Sequence, residues 1–563
     1  MTTTGGAETR RGIGVSPGTA YGPVVLVAPA VRPPADEPAP TDAEATVEAL
    51  KSAFAAVAED LDARAAAADD TASQILTATA LIARDKGLLK AAAAQVRDGV
   101  GPAHAIEAAV EQYATQFTAL GGYFAERVAD LRDVGSRAMA HVLGVPVPGV
   151  PPLSEACVLV AEDLAPAETA TLDRALVLGI VTEAGGRTSH TAILAAQMGI
   201  PAVVQVAHAV EIPAGTPVAV DGDAGEVVLE PSDQLVADLR RRAERRAAVL
   251  AEGHGPGVTR DGHHVALLAN IGGPEDAVEA AAQDLEGVGL FRTEFVYLSA
   301  DRAPTVEEQV DLYRRVFEPF GERRVVVRTL DAGADKPLAF ADLGPEENPA
   351  LGRRGLRLGA LHPELLDAQL EALGIAAKET AAEVRVMAPM VATAEEAAWF
   401  ARRVHENGIA RAGVMIEIPG AAIRSAHVLA EVQFGSLGTN DLAQYTMAAD
   451  RMQGELSDLL DPWQPAVLDV IAAACEGAAA TERPMGVCGE SAGDPLLALV
   501  LTGLGASSLS MAPSKVPMVR FALSLHSLPE CRRLAALARE ARTAQDARQA
   551  VLGATRPALA ELL

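Results

Sequence analysis

Four stretches of the chain differ in how apolar and polar positions alternate. A short β-like opening, Gly12 to Gly18 and then Val24-Val25-Leu26-Val27, runs into a Pro-rich linker from Pro29 to Pro40. From about Thr41 to Leu143 the sequence is Ala-rich, nearly free of Pro, and apolar at helical spacing, as in Ile75, Leu76, Thr79, Leu81 and Ile82. This pattern predicts a helical bundle, ended by the Pro-rich segment Val145 to Pro152.

Next come alternating short elements. Val158-Leu159-Val160 predicts a buried strand, Glu168 to Leu172 a helix and Ala175 to Val181 another strand, followed by a Gly-rich turn and a helix. Val218-Ala219-Val220 and Val227-Val228-Leu229 predict strands split by the turn Asp221-Gly222-Asp223-Ala224-Gly225. The result is a small mixed α/β domain. If the opening strands complete it, the helical bundle is an insertion. A charged helix, Gln234 to Glu252, leads into the fourth stretch, with eight strand candidates at 265–271, 287–292, 325–330, 384–388, 413–416, 434–438, 485–488 and 507–511. Strands alternating with helices in this number predict a (β/α)8 barrel.

Composition narrows the class. The 563 residues exceed one core and suggest three or four units. No run of about 18 apolar residues exists, so no membrane span is expected. The start, Met1-Thr2-Thr3-Thr4-Gly5-Gly6, lacks an apolar signal core. Cys157, Cys475, Cys488 and Cys531 form no CxxC pair, which suits a reducing cytoplasm. A net charge of −28 argues against a nucleic-acid partner and is compatible with a basic protein partner.

The sharpest local feature is Thr182-Glu183-Ala184-Gly185-Gly186-Arg187-Thr188-Ser189-His190-Thr191-Ala192-Ile193-Leu194. A strand ends in two glycines and a helix starts near Ser189 or His190, with Thr188 and Ser189 suited to cap it. A helix N-terminus offers free N–H groups and a positive dipole end, which suit an anion and keep a histidine there neutral and nucleophilic. A phosphorylated His190 fits such a place. The string resembles the phosphohistidine motif of Enzyme I of the bacterial phosphoenolpyruvate (PEP):sugar phosphotransferase system. Pyruvate phosphate dikinases and PEP synthases usually have Met and Ala where this chain has Arg187 and Thr191, so the resemblance favours Enzyme I.

In a barrel of this kind, chemistry belongs at the C-terminal ends of the strands. Arg292 ends the run 287–292, Arg328 follows Val325-Val326-Val327, and Glu417 follows Val414-Met415-Ile416. Asn440 and Asp441 follow Phe434 to Leu437, Arg451 comes ten residues after Asp441, and Cys488 follows Met485-Gly486-Val487. Arginines bind carboxylate and phosphate as a fork, and two carboxylates with room for water and ligand oxygens suit Mg²⁺. A thiol at the mouth can protonate C3 of the enolate left when PEP loses its phosphoryl group.

These segments also resemble Enzyme I. The resemblance implies PEP binding by Arg292, Arg328, Arg451, Asn440 and Asp441, Mg²⁺ ligation by Glu417 and Asp441, and proton donation by Cys488. Asp335-Lys336 and Asn348 to Arg354 look like further family segments, so Lys336 and Arg354 are expected near PEP. Gln464 and Thr79 depart from the family, which commonly has His at both positions. The segment Arg127 to Arg137 resembles the family's charged segment in the helical domain, where the carrier protein HPr docks; on composition alone it reads as a solvated helix face.

The fold this implies is multidomain α/β: a swivelling α/β phosphohistidine domain with an inserted helical bundle, then a C-terminal (β/α)8 TIM barrel. The expected boundaries are 1–30 for the opening strands, 31–147 for the HPr-binding bundle, 148–230 for the phosphohistidine domain, 231–256 for a linker helix and 257–563 for the PEP-binding barrel. The expected hinges are 29–40, 145–152 and the step from Glu230 to Gln234. The resemblance further implies a cytoplasmic homodimer joined through the barrel, with PEP and HPr as partners and neither nucleic acid nor membrane insertion. A dikinase would need a nucleotide-binding unit ahead of His190, where the 189 preceding residues are largely helical and hold no GxxxxGK[ST] loop. A silent regulator would lack His190, Cys488 or a metal carboxylate, and all are present.

Overall fold

The computed structural model describes residues 8–67, 70–120, 127–151, 153–164, 172–186, 189–298, 302–332, 338, 340, 346–451 and 453–563. The chain divides into two compact units, residues 1–244 with Leu563, and residues 245–562.

In the first unit, β1 (Thr9–Arg11), β2 (Ile13–Ser16) and β3 (Thr19–Leu26) precede, among the described residues, the helices α1 (Ala43–Ala67), α2 (Asp70–Ala83), α3 (Lys86–Arg97), α4 (Pro102–Leu120) and α5 (Val128–Leu143). Then follow β4 (Cys157–Ala161), β5 (Val177–Thr182), α6 (His190–Met198), β6 (Ala202–Val204), β7 (Pro217–Asp221) and β8 (Glu226–Leu229). The sheet runs β1-β8-β7-β3-β4-β5-β6-β2, so β3 lies between β7 and β4 and the opening strands complete the domain. The helices between β3 and β4 are therefore an insertion. Strand β4 shows why its run is uniformly apolar. Val158 and Val160 pack into one core and Cys157, Leu159 and Ala161 into another, so both faces are covered. The helix expected at Glu168 to Leu172 falls largely outside the described residues, as do Arg187, Thr188 and Lys336.

The bundle closes on Leu50, Phe54, Leu61, Leu76, Leu88, Ile106 and Val134, and Thr79 is fully buried beside them. The charged segment of α5 differs from its expected solvated face. Asp130 and Arg137 are buried, Arg137 bonding Asp133 at 2.9 Å and Asp130 bonding Arg127 at 2.8 Å. Arg132 is the exposed member, paired with Glu111. The charges are spaced so that i, i+3 and i, i+4 partners meet, which lets them be buried in pairs.

Helix α7 (Asp233–Glu252) carries the chain across the division between the units. The second unit is a closed parallel barrel of β9 (Ala266–Ile271), β10 (Gly287–Arg292), β11 (Arg324–Arg328), β12 (Glu383–Ala388), β13 (Ala412–Ile416), β14 (Phe434–Leu437), β15 (Met485–Val487) and β16 (Ser508–Met511). All eight lie where the apolar runs predict strands. Strand β16 pairs back onto β9, Met511 opposite Ala269. Leu290, Val326, Met387, Met415, Phe434 and Cys488 fill the barrel interior. Among the described residues, no helix is long and apolar enough to cross a membrane.

Candidate active site

Strand register gathers the charged residues at the C-terminal mouth of the barrel. Arg292 and Arg328 are Cα partners at the ends of β10 and β11. Ile416 pairs with Leu437, so Glu417 and Gly438 leave β13 and β14 side by side. A Cβ on Gly438 would lie 2.7 Å from Glu417 Oε2, so glycine here leaves the carboxylate its place. The helix Thr439–Met447 begins at once and carries Asn440 and Asp441, and Arg451 follows it. A cavity of about 140 Å³ opens there, lined by the three arginines, Arg354, Glu417, Asn440, Asp441 and Cys488.

Arg354 is 2% exposed and lies between two carboxylates. Its guanidinium donates to both oxygens of Asp331, each at 3.1 Å, and to both oxygens of Asp441, at 2.8 and 3.1 Å. Arg328 also bonds Asp331, at 3.1 Å, and pairs with Glu294. Arg451 lies 3.6 Å from Asp441. Asn440 Oδ1 accepts the N–H of Glu490 at 3.3 Å. Asp331 and Glu294, which hold the arginines, had no role assigned from sequence. Asp331 lies three residues after Arg328, whereas Glu294, in the segment that carries Arg292, meets Arg328 only through the fold.

Glu417 is fully buried. Its Oε1 accepts the N–H of Met390 at 2.6 Å, while Oε2 has no partner. Burial, and then the neighbouring Asp441 and Asp331, push its carboxyl up to about 8. A buried carboxylate with a free oxygen and like charges beside it favours a cation. Among the described residues no three His, Cys, Asp or Glu side chains cluster as a ready metal cage. Glu417, with its unpartnered oxygen, and Asp441 line the same cavity, and two such carboxylates fit a hard cation that takes the rest of its shell from ligand and water oxygens.

Cys488 follows β15 and is 3% exposed. Its N–H and Sγ both face the carbonyl of Leu437, at 3.1 and 3.4 Å. Asn270 Nδ2 holds its carbonyl at 3.1 Å. Burial pushes the thiol up to about 11, with the Ser436 hydroxyl and Arg328 pulling the other way. Burial thus favours the protonated thiol.

The Gly-rich turn lies in the first unit. After β5, Gly185 takes φ +92°, and Ser189 N–H bonds the carbonyl of Gly186 at 3.0 Å. Ser189 is the N-cap of α6, its hydroxyl accepting from Ala192 N–H at 3.2 Å, so His190 opens the helix. Thr191 is buried and donates to Asp163 at 3.2 Å, which ties the first turn to the loop after β4.

Comparison with known proteins agrees along the chain. Residues 246–527 match the PEP-binding domain of PEP-utilising enzymes, residues 153–225 their mobile domain and residues 11–127 their N-terminal domain. The phosphoenolpyruvate-protein phosphotransferase of Streptomyces coelicolor is 52% identical over 96% of this chain and 98% of its own. That of Bacillus subtilis is 38% identical over 87% of this chain and 90% of its own, and that of Haloferax volcanii 37% identical over 94% and 96%.

Proposed function

Because the chain belongs to the phosphoenolpyruvate-protein phosphotransferases, we propose that it passes the phosphoryl group of PEP to its own His190 and then to a histidine of the carrier HPr. Pyruvate leaves, and the transfer is the first step of sugar uptake by the phosphotransferase system. The observation that carries this reading is the mouth cavity, where arginines, carboxylates including Glu417 and Asp441, and a buried thiol come together.

Arg292, Arg328, Arg451 and Asn440 bind the PEP carboxylate and phosphate, with Lys336 and Arg354 in support. Forked guanidinium donors suit both anions and fix their orientation. Arg328 is itself held by Asp331 and Glu294, so its position is set before PEP arrives. Glu417 and Asp441 would hold Mg²⁺, and Arg354 orients Asp441 for that task. When bound, Mg²⁺ neutralises charge on the phosphoryl oxygens. The neutral His190 imidazole attacks phosphorus, and the positive end of α6, fixed by the Ser189 cap, favours the phosphorylated product. Cys488 gives its proton to C3 of the departing enolate, completing pyruvate.

His190 serves a donor at the barrel mouth and an acceptor at the helical bundle, so the phosphohistidine domain swivels between them. The segments 29–40 and 145–152 are hinges, with a third at Glu230, which takes φ +46° between β8 and α7. The enzyme works in the cytoplasm as a homodimer through the barrel.

Incubation with ³²P-labelled PEP and Mg²⁺ tests the reading. Label stable in base and lost in acid, with one pyruvate released per phosphate bound, is expected; release of pyruvate without protein labelling would refute it.

A further inference from the structure

A second, smaller cavity lies on the N-terminal side of Cys488. We propose that it is the route by which the thiol regains its proton: Ser436 relays a proton to Cys488 from water held there, supplied through the N-terminal mouth of the barrel. This rests on the reading of Cys488 as the C3 proton donor.

The geometry follows from the two-residue period of the strands. Phe434 and Ser436 share one face of β14, and Phe434 packs in the barrel interior with Leu290, Val326, Met387, Met415 and Cys488. Ser436 therefore also faces inward; it pairs with Gly486, two residues before Cys488 on the same face of β15, so hydroxyl and thiol are diagonal neighbours across the two strands. The same period on β11 sends Arg328 to the upper mouth and Arg324, its first residue, to the lower one. The lower cavity spans from Ser436 to Arg324 and Arg385, and Pro484 and Ser507, which precede β15 and β16, also line it. Its volume is about 30 Å³. One water needs roughly 10–15 Å³ by this measure, so a water or two fit.

The lining is polar where a relay needs it. Gly486 leaves the space open: a Cβ there would come 2.7 Å from Ser508 Oγ and 3.7 Å from Ser436 Oγ. Both hydroxyls thus border one void. Ser510 is committed elsewhere, donating at 2.6 Å to Asn270, whose amide holds the Cys488 carbonyl. The remaining interior is apolar, so the β14–β16 side is the polar path past that plug. When ligand fills the upper cavity, this path reaches the thiolate from the opposite side.

The proton count balances. As the C3–H bond forms, the S–H bond breaks. The thiolate takes the Ser436 hydroxyl proton, and the Ser436 oxygen takes one from cavity water. Bulk solvent restores that water, so each pyruvate consumes one solvent proton.

The full-length enzyme, given PEP, pyruvate and Mg²⁺ in D₂O, tests this by deuterium entry at C3 of pyruvate, read by NMR. Ser436→Ala should slow entry by about 10-fold or more, the scale of a lost proton-transfer partner. The amount of phosphoprotein formed from PEP should stay unchanged, which also reports an intact fold. Ser436→Thr, which keeps a hydroxyl, should restore the rate, and Gly486→Ala, which fills the void, should slow it again. Wild-type exchange in both Ser436→Ala and Gly486→Ala, with exchange slowed in Cys488→Ser, would overturn the relay and leave the role of Cys488 standing. Wild-type exchange in Cys488→Ser would overturn both.

Discussion

Arg354 grips Asp441 with two hydrogen bonds while its other donors hold Asp331, so one buried guanidinium fixes a carboxylate from each side of the mouth. Removing one partner of such a group leaves buried charge uncompensated. Arg354→Met should cost about 3–5 kcal/mol in urea unfolding. It should also weaken Mg²⁺ activation by about 10–100-fold, the usual effect of losing a residue that orients a metal ligand. Unchanged stability and an unchanged Mg²⁺ titration would show that the clamp has no such role.

Glu417 makes the site sensitive to pH. Its folded value of about 8 lies above the ordinary 4.5, so its contribution to stability without metal is full below pH 4.5 and is lost as pH rises through 8. Metal binding must displace that proton. Mg²⁺ affinity, measured by calorimetry, should therefore rise by up to about tenfold per pH unit from about pH 6 and level off above about pH 8. Glu417→Gln should bind weakly and flatly across the range. A flat profile in the unmodified enzyme would contradict the assignment.

Cys488 is expected to act on carbon and not on phosphorus. Cys488→Ser should lower turnover by roughly 10²–10⁴-fold, the range for a lost general acid. Phosphorylation of the protein in a single turnover should remain. Cys475 and Cys531 are buried on helices away from the mouth and should tolerate Ser in the same assay. Normal turnover in Cys488→Ser would require another proton source.

Ser189 separates the cap from the charge. Ser189→Ala should destabilise the start of α6 by about 1 kcal/mol and reduce the phosphorylated fraction at equilibrium with PEP and pyruvate. Ser189→Asp keeps a capping oxygen but adds a negative charge beside the phosphoimidazole, so it should lower that fraction further while preserving the helix. Equal labelling in the two variants would argue that the charge at the helix start is immaterial.

The barrel was legible because its strands are short apolar runs, and the catalytic candidates because several runs end in or are soon followed by a polar or charged residue, as Val325-Val326-Val327 is by Arg328. The ion pairs were not. Arg354 meets Asp331 and Asp441 across 23 and 87 residues, and no local pattern encodes such a contact. Helix α5 misled for a related reason. Its charges have the spacing of a solvated face, but packing of the bundle buries Asp130 and Arg137 with their partners. Insertion of the bundle was readable only in outline, because the pairing of β3 with both β4 and β7 joins segments far apart in the chain.

His190 is the proposed carrier of the phosphoryl group. The most direct measurement is to label the enzyme from ³²P-PEP with Mg²⁺ and locate the phosphate by mass spectrometry, in parallel with His190→Ala. One acid-labile phosphate on His190, passed to HPr on its addition, is expected, and none in the variant, whose fold should be intact by circular dichroism. Full labelling of His190→Ala, or phosphate on another residue of the unmodified enzyme, would contradict it.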